Sequence, residues 1–246
     1  MMNRLITLAF ALSLAASGAK AIVGGAEDQG PLARQSVMVL SSNGGVCSAV
    51  VVARDVVLTA AHCVTGADEH RVHFRDEAGE PVLIPPAAKA VHPSYNAKAI
   101  ETRQRSIDLA LVRIPQPLPE RFERAQLTPA KPPKGETVTI GGYGVAQEGD
   151  GKSSGTFRTA DLRAIEPFGS SQLLVWLEGV VTGACQGDSG GPVMQGGNVF
   201  AITTWAKGAG RSSCGRISQG ILLGPQKEWI DRTLRTWNRA ASWTGG

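Results

Sequence analysis

Short apolar segments rich in valine, leucine and isoleucine recur along most of the chain and are separated by glycine and proline. Short β-branched runs bounded by turn residues are typical of β-strands. The clearest runs are residues 37–40, 49–52, 56–58, 109–112, 137–140, 173–177 and 199–202. Strands do not alternate with long helical patterns, so the chain is predicted to form an all-β sandwich or barrel, not a parallel α/β sheet.

Two stretches depart from this β pattern. After Pro225, four apolar residues fall close to one helical face, which predicts a C-terminal α-helix packed on the body of the protein. These residues are Trp229, Ile230, Leu234 and Trp237. The proline-rich stretch 115–133 is interpreted as the connection between two halves of the domain.

Residues 1–21 have the pattern of a secretory signal of the bacterial export type. Arg4 supplies positive charge, residues 5–16 form an apolar run, and Ala19-Lys20-Ala21 matches an A-x-A cleavage site. The apolar run is too short to span a bilayer as a helix, and a retained interfacial anchor is the less favoured alternative. We therefore expect a secreted or periplasmic protein whose mature chain, 22–246, begins at Ile22.

The charge balance excludes some classes of partner. The formal net charge is +4 for all 246 residues and falls to +2 without Arg4 and Lys20. Basic residues do not cluster with aromatic ones, so we expect no nucleic-acid binding. No later segment is apolar enough to predict a membrane span, and a chain of this length suits one large all-β domain or two small ones.

The four cysteines, Cys47, Cys63, Cys185 and Cys214, favour disulfides in an exported chain. Four cysteines allow three pairings. The local pairs 47–63 and 185–214 would each enclose a candidate catalytic residue. A zinc site is the alternative, but the chain has no Cys-x-x-Cys spacing.

The hexapeptide 187–192, Gly-Asp-Ser-Gly-Gly-Pro, is the strongest candidate for chemistry. Glycines allow another backbone to come close and leave main-chain N–H groups available to bind an oxyanion. A nucleophilic Ser189 requires such N–H groups. A surface turn is the plain alternative. The Gly-x-Ser-x-Gly elbow of α/β-hydrolases is excluded, because its histidine follows the serine and every histidine here precedes Ser189.

His62 is the best candidate for the base that activates this serine. It follows an apolar β run, lies among small residues and is next to Cys63. His70 and His73 lie in a charged stretch and are predicted to be solvated, whereas His92 is predicted to pack at a strand end.

Asp108 is the best candidate for the acid that orients the base, because it lies within the apolar run 106–112. An unpaired buried aspartate is costly, so a partner is implied. The alternative is an aspartate at a strand start that faces solvent.

The chain order His62, Asp108, Ser189 is the order of the chymotrypsin template. With residues 22–25 (Ile-Val-Gly-Gly), 59–63 (Thr-Ala-Ala-His-Cys) and 187–192, the sequence resembles the chymotrypsin/trypsin-like serine proteases. The resemblance implies two six-stranded antiparallel β-barrels, about 22–125 and 126–246, with a C-terminal α-helix and the catalytic triad in the cleft between them.

The resemblance also implies the roles of the residues around Ser189. The N–H groups of Gly187 and Ser189 would form the oxyanion hole, and a freed Ile22 amine would pair with Asp188. Polypeptides would be the substrates, without cofactor or metal, and the protein would act as a monomer. Signal cleavage after Ala21 would itself expose Ile22, so we expect no long pro-segment.

The primary pocket is predicted to lack an acid. By the same resemblance it would be formed by Gly183, Thr204, Trp205, Ala206 and Gly220. We expect it to accept small-to-medium apolar side chains and to disfavour Lys and Arg. An Arg216 that reached the pocket would instead favour acidic side chains, although a solvated loop arginine is the simpler interpretation.

The sequence departs from the family pattern in several places. Thr204 replaces the serine expected beside Asp108, and residues 97–106 form a longer loop that carries Lys98, Arg103 and Arg105. Two other functions remain open: a catalytically silent binding protein on the same fold, and an esterase without peptidase activity.

Overall fold

The computed structural model describes residues 22–102 and 104–245, and the predicted signal, 1–21, lies outside them. The first half forms one curled antiparallel sheet with the strand order β6-β5-β2-β3-β4-β8-β7. Its strands are β2 (Ser36–Ser41), β3 (Val46–Ala53), β4 (Val56–Thr59), β5 (His70–Arg75), β6 (Pro81–Ile84), β7 (Ala88–Val91) and β8 (Ala110–Arg113). The first part of the chain also contains α1 (Pro31–Arg34), a 3₁₀ turn (Ala61–Cys63), α2 (Ala99–Thr102) and β1 (Ala26–Glu27), which pairs with the sheet of the second half.

The second half closes into a barrel. Six strands pair in the order β13-β10-β11-β12-β15-β14, and β14 pairs back onto β13. These strands are β10 (Thr137–Gly142), β11 (Arg158–Ile165), β12 (Leu174–Glu178), β13 (Pro192–Gln195), β14 (Asn198–Lys207) and β15 (Ile217–Leu222). Short strands β9 (Gln126–Leu127) and β16 (Ser242–Trp243) extend the sheet beside β14, and α3 (Lys227–Thr236) precedes β16.

The predicted all-β fold with a C-terminal helix is confirmed, with one difference in the first half. That half is a seven-stranded sheet whose end strands, β6 and β7, do not pair with each other. Pro85 and Pro86 lie between these two strands. Because proline has no N–H to donate to a ladder, the chain breaks there and the sheet stays open.

Strands β3, β4 and β8 are buried on both faces, which explains their continuous apolar runs. Along β3, Ala49 and Val51 face the core of their own sheet, whereas Val50 and Val52 face a second core between the two halves. That second core also holds Ile230 and Leu234 of α3, both fully buried. The apolar face predicted for the C-terminal helix is therefore confirmed.

An ion pair ties the end of the chain to the first half. Arg239, just beyond α3, donates from Nε and Nη2 to the two carboxylate oxygens of Asp55, at 2.6 and 2.9 Å. Asp55 is buried, and paired bonds of this kind are strong and fix geometry. The helix is thus held both by apolar packing and by a charge contact beyond its end.

The prediction for two histidines is wrong. His70 and His73 are buried rather than solvated, because β5 pairs with β2 on one side and β6 on the other. Burial and the neighbouring Lys89 ammonium lower the pKa of His70. His92 does pack at a strand end, with its ring centroid 4.7 Å from that of Trp229. None of the described helices combines the length and apolar character needed to cross a bilayer.

Candidate active site

The pairing of β4 with β8 brings the candidate base and acid together. The register places Thr59 opposite Ala110, so the end of β4 lies beside the start of β8. The 3₁₀ turn that follows β4 carries His62, and Asp108 lies just before β8. Residues far apart in the chain thus converge because of one strand pairing.

Asp108 holds His62 at two points. One carboxylate oxygen, Oδ2, lies 2.7 Å from His62 Nδ1, and the other, Oδ1, accepts the His62 backbone N–H at 2.9 Å. The Asp108 side chain is 18% exposed and that of His62 is 39% exposed. The carboxylate therefore fixes the direction of the ring, favours a proton on Nδ1 and leaves Nε2 as the possible base.

The serine loop lies on the other side of the ring. Cys63 Sγ lies 3.7 Å from His62 Nε2 and also 3.7 Å from the Ser189 carbonyl oxygen, which places the loop next to the base. Among the described contacts, no hydrogen bond joins the Ser189 hydroxyl to the His62 ring.

The N–H groups of Gly187 and Ser189 are available for an oxyanion. Within the described part of the chain, neither donates to a backbone or side-chain acceptor, whereas the N–H groups of Asp188, Gly190 and Gly191 all do. Gly187 has φ +97°, a value that favours glycine, and a Cβ there would lie 2.6 Å from the Gly144 Cα. The loop conformation thus depends on a glycine at this position.

Asp188 is fully buried beneath the loop. Its oxygens accept the N–H groups of Gly144 and Cys185, each at 2.9 Å. Burial raises the pKa of Asp188 to about 7, although these two bonds and the charge of Arg158 act in the opposite direction. A buried carboxylate whose charged form is disfavoured by desolvation is a natural partner for a cation.

The Ile22 side chain is buried in the core of the second barrel. The next residue, Val23, forms a β-bridge with Gly183 and accepts the Gly183 N–H at 3.1 Å. The start of the described chain is therefore docked beside the segment that leads to Ser189.

The predicted pocket residues lie on three segments, with Gly183 before the serine loop, Thr204, Trp205 and Ala206 in β14 and Gly220 in β15. The space around Gly183 is tight. A Cβ on Gly183 would lie 3.2 Å from the Ser218 Oγ, which itself accepts the Ala184 N–H at 2.9 Å. Ser218 pairs with Ala206 across β14 and β15. Gly220 pairs with Val175 and Thr203 and is buried. Ser218, which sequence reasoning did not identify, is thus the β15 residue nearest Gly183.

The described ion pair of Arg216 is with Glu178. One of its guanidinium nitrogens lies 3.9 Å from a carboxylate oxygen of Glu178, and both side chains are about half exposed. This contact favours the interpretation of a solvated loop arginine.

A cavity of about 970 Å³ extends from the His62–Asp108 pair. It is lined by His62 and Asp108, by part of the long loop 97–106 including Arg105, and by Thr204 and Trp205. Among the described contacts, no hydrogen bond joins the Thr204 hydroxyl to Asp108. Burial raises the pKa of Tyr95, another lining residue, and the negative charge of Asp108 adds to this effect.

Both local disulfides are present, at Cys47–Cys63 and Cys185–Cys214, so this pairing is confirmed. In the chain-entropy description, a disulfide that closes a loop of roughly 15 residues adds about 3 kcal/mol to the free energy of unfolding. The Cys47 and Cys63 sulfurs lie close to His62, but a disulfide offers no thiolate to a metal.

A sequence profile described as Trypsin matches residues 22–230. The chain belongs to the trypsin family. Its curated relatives include the vitellin-degrading protease of Bombyx mori, which is 28% identical over 95% of this chain and 96% of that protein. Human kallikrein-7 is 28% identical over 93% of this chain and 94% of that protein. This trypsin-family protein is therefore a serine endopeptidase by family, with polypeptide substrates.

Solved structures share the fold. Neuropsin, described as a serine protease of mouse brain, has a TM-score of 0.72 and is 24% identical, and the alignment covers 86% of this chain and 99% of the neuropsin chain. Human heparin binding protein also has a TM-score of 0.72, at 18% identity, and covers 87% of this chain and 97% of its own. Such neighbours show the chymotrypsin-like fold alone.

We predict that Gly187→Ala reduces kcat at least a hundredfold in this trypsin-family protein. The methyl group meets the Gly144 Cα, and alanine is strained at φ +97°, so the N–H of residue 187 turns away from the oxyanion. Gly149→Ala is the matched control, because φ is +85° there and the space around it is open. Steady-state kinetics on a peptide substrate compare the two, and equal activity of both variants would contradict the assignment.

Proposed function

We propose that this protein is an exported serine endopeptidase that uses Ser189, His62 and Asp108 in an acyl-enzyme mechanism. The observation that carries the proposal is the doubly held His62–Asp108 pair beside a loop with two unbonded N–H groups. These are the parts that the mechanism requires.

In this mechanism His62 Nε2 takes the proton of the Ser189 hydroxyl as the oxygen attacks the scissile carbonyl. Asp108 stabilises the imidazolium that forms and keeps the proton on Nδ1. The N–H groups of Gly187 and Ser189 receive the oxyanion, and each such donor is worth about 3 kcal/mol in the transition state. His62 then gives its proton to the leaving amine, and water completes the cycle by releasing the acyl group.

The missing hydrogen bond between Ser189 and His62 is compatible with this role. Catalytic hydrogen bonds are often long or poorly aligned without substrate and tighten in the complex. Cys63 Sγ lies 3.7 Å from both His62 Nε2 and the Ser189 carbonyl oxygen, so the backbone of the serine loop lies close to the proposed base.

A catalytically silent binding protein is the competing function, because the fold also occurs in a protein named for binding heparin. The retained base, acid, nucleophile and oxyanion donors of this chain favour hydrolysis. An ester-only hydrolase has no specific observation in its favour, and parallel assays of an ester and the matching peptide amide separate the two.

We predict that a peptidyl organophosphonate labels the wild-type protein at Ser189 with a 1:1 mass increase. Ser189→Ala should lose both the label and peptide hydrolysis, because the phosphonate bonds to the activated hydroxyl. Ser42→Ala is the control, since Ser42 is an exposed serine elsewhere on the first sheet. Intact-mass spectrometry reports the label, and an unlabelled, inactive wild type would favour the binding protein.

The primary pocket is proposed to accept small-to-medium apolar side chains. The Ser218 Oγ limits the depth beyond Gly183, the Ala206 methyl adds bulk on the facing strand, and Arg216 lies near Glu178 instead. Gly183 carries no charge, so Lys and Arg side chains would lose their hydration without gaining a partner. Gly220 remains a predicted pocket residue.

We predict that Ser218→Gly shifts the preference toward larger residues. Removing the Cβ and Oγ deepens the floor, and each extra methylene that can then be buried is worth about 1 kcal/mol. The ratio of kcat/KM for leucine over alanine at the cleaved residue should rise about tenfold. Peptide-library profiling measures this ratio, with Ser42→Ala as the unchanged reference. An unaltered profile would remove Ser218 from the pocket.

We infer that signal removal after Ala21 creates the active form. The Ile22 side chain is already docked in the core, and its freed α-ammonium would add a positive charge for the buried Asp188, whose pKa is raised by burial. The pairing raises the pKa of the amine above its ordinary value of about 8. The contribution of the amine is complete below its ordinary pKa and is lost as pH rises through the raised one, and the pair also requires that Asp188 is ionised.

We predict that a protein retaining Ala21 before Ile22, or acetylated at Ile22, loses at least a hundredfold in kcat/KM. Breaking one side of a buried ion pair costs about 3 kcal/mol, which would destabilise the conformation of the loop around Asp188. N-terminal sequencing of the exported protein establishes the natural start, and the free-amine form is the control. Full activity of the blocked protein would contradict the ion pair.

A further inference from the structure

Ser48 lies in β3, directly after Cys47, and makes three hydrogen bonds to the other half of the protein. Its backbone N–H donates to the Ser189 carbonyl at 2.8 Å. Its hydroxyl donates to the Gly187 carbonyl at 2.9 Å and accepts the Tyr143 N–H, also at 2.9 Å. The side chain is fully buried, so water does not compete for these bonds.

The hydrogen bond from Ser48 to Gly187 matters because Gly187 has no side chain that could hold its peptide groups in place. The peptide before it is fixed by the Val145 N–H, which donates to the Gln186 carbonyl at 2.8 Å. The peptide after it is fixed by the Ser48 hydroxyl. The next peptide is fixed by the Gly191 N–H, which donates to the Asp188 carbonyl at 2.9 Å. Three successive carbonyls around these two N–H groups are thus each held by a hydrogen bond.

We propose that Ser48 is a positioning residue for the oxyanion hole, acting through the Gly187 carbonyl. Of these three anchors, the Ser48 hydroxyl is the one that a side chain supplies, and it comes from the opposite sheet. It fixes ψ of Gly187 and φ of Asp188, and so limits rotation of the N–H groups that flank Asp188. The inference rests on the proposed peptidase function and assigns a role within it.

A purely structural role would have a different consequence. Loss of the hydroxyl leaves the Gly187 carbonyl and the Tyr143 N–H without this partner, which lowers stability wherever such a buried bond is lost. A positioning role also weakens the stabilisation of the oxyanion, which forms after substrate binding. The first effect changes the melting temperature, whereas the second changes kcat with little change in KM.

The test compares Ser48→Ala with Ser36→Ala. Ser36 is also fully buried in the first sheet, and its hydroxyl donates to the Leu32 carbonyl at 2.9 Å, away from the serine loop. Both variants remove one buried hydroxyl. For Ser48→Ala we expect kcat about tenfold lower and KM within twofold of wild type. For Ser36→Ala we expect wild-type kinetics with a similar decrease in melting temperature.

A second readout uses a peptidyl trifluoromethyl ketone, whose hemiketal oxygen occupies the oxyanion hole. Its inhibition constant should rise about tenfold for Ser48→Ala, in parallel with the loss of kcat, and should not change for Ser36→Ala. Ser48→Cys retains a weak donor of similar size and should lie between wild type and Ser48→Ala, which keeps the test open if the alanine variant does not fold.

The outcomes separate this inference from the proposed function. A wild-type protein without hydrolysis contradicts the peptidase function itself. An active wild type with unchanged kcat and inhibitor affinity in Ser48→Ala overturns the role of Ser48 alone. An equal loss of kcat and inhibitor affinity in Ser36→Ala would also overturn the role of Ser48. Both losses would then follow from reduced stability and not from the position of the oxyanion donors.

Discussion

The active site depends on the pairing of two buried strands, β4 and β8. These strands are apolar on both faces, and a register slip would move their side chains between the two cores that they separate. The same register puts the start of the His62 turn beside Asp108. A burial requirement of the two strands therefore determines the distance between His62 and Asp108.

Close packing around Asp188 adds a second constraint. A Cβ on Gly142 would lie 2.3 Å from the carboxylate, and one on Gly144 would lie 2.6 Å from it. The glycines on either side of Tyr143 therefore allow the backbone to surround the charge and donate to it. Because desolvation disfavours the charged form, this enclosure creates the demand for a cation that a free Ile22 amine would meet.

The sequence was sufficient for features that local chemistry specifies. The glycine-rich loop, the strands and the C-terminal helix follow from short-range patterns, and the structure contains them, whereas the cysteine count left three pairings open. His70 and His73 were mistaken for solvated residues, because a charged neighbourhood along the chain does not reveal that β5 has a neighbour on each side.

Ser218 was missed for a different reason, which is strand register. A bulge between Thr203 and Trp205 shifts the pairing of β14 with β15 and places Ala206 opposite Ser218. A bulge inserts one extra residue without a distinctive composition, so counting along the sequence could not locate it. The open edge of the first sheet was missed although Pro85 and Pro86 were visible, because the resemblance implied a closed barrel.

The fold alone does not make a hydrolase, since similar architecture occurs in a protein named for heparin binding. Catalysis also requires two N–H groups that point in a fixed direction, and the backbone bonds that hold them are joined here by one from the Ser48 side chain. In this chain Ser48 and Gly187 are 139 residues apart, and their bond joins the first sheet to the second half. The association of the two halves would then position the oxyanion donors as well as the triad, and small changes at that interface should alter rate before stability.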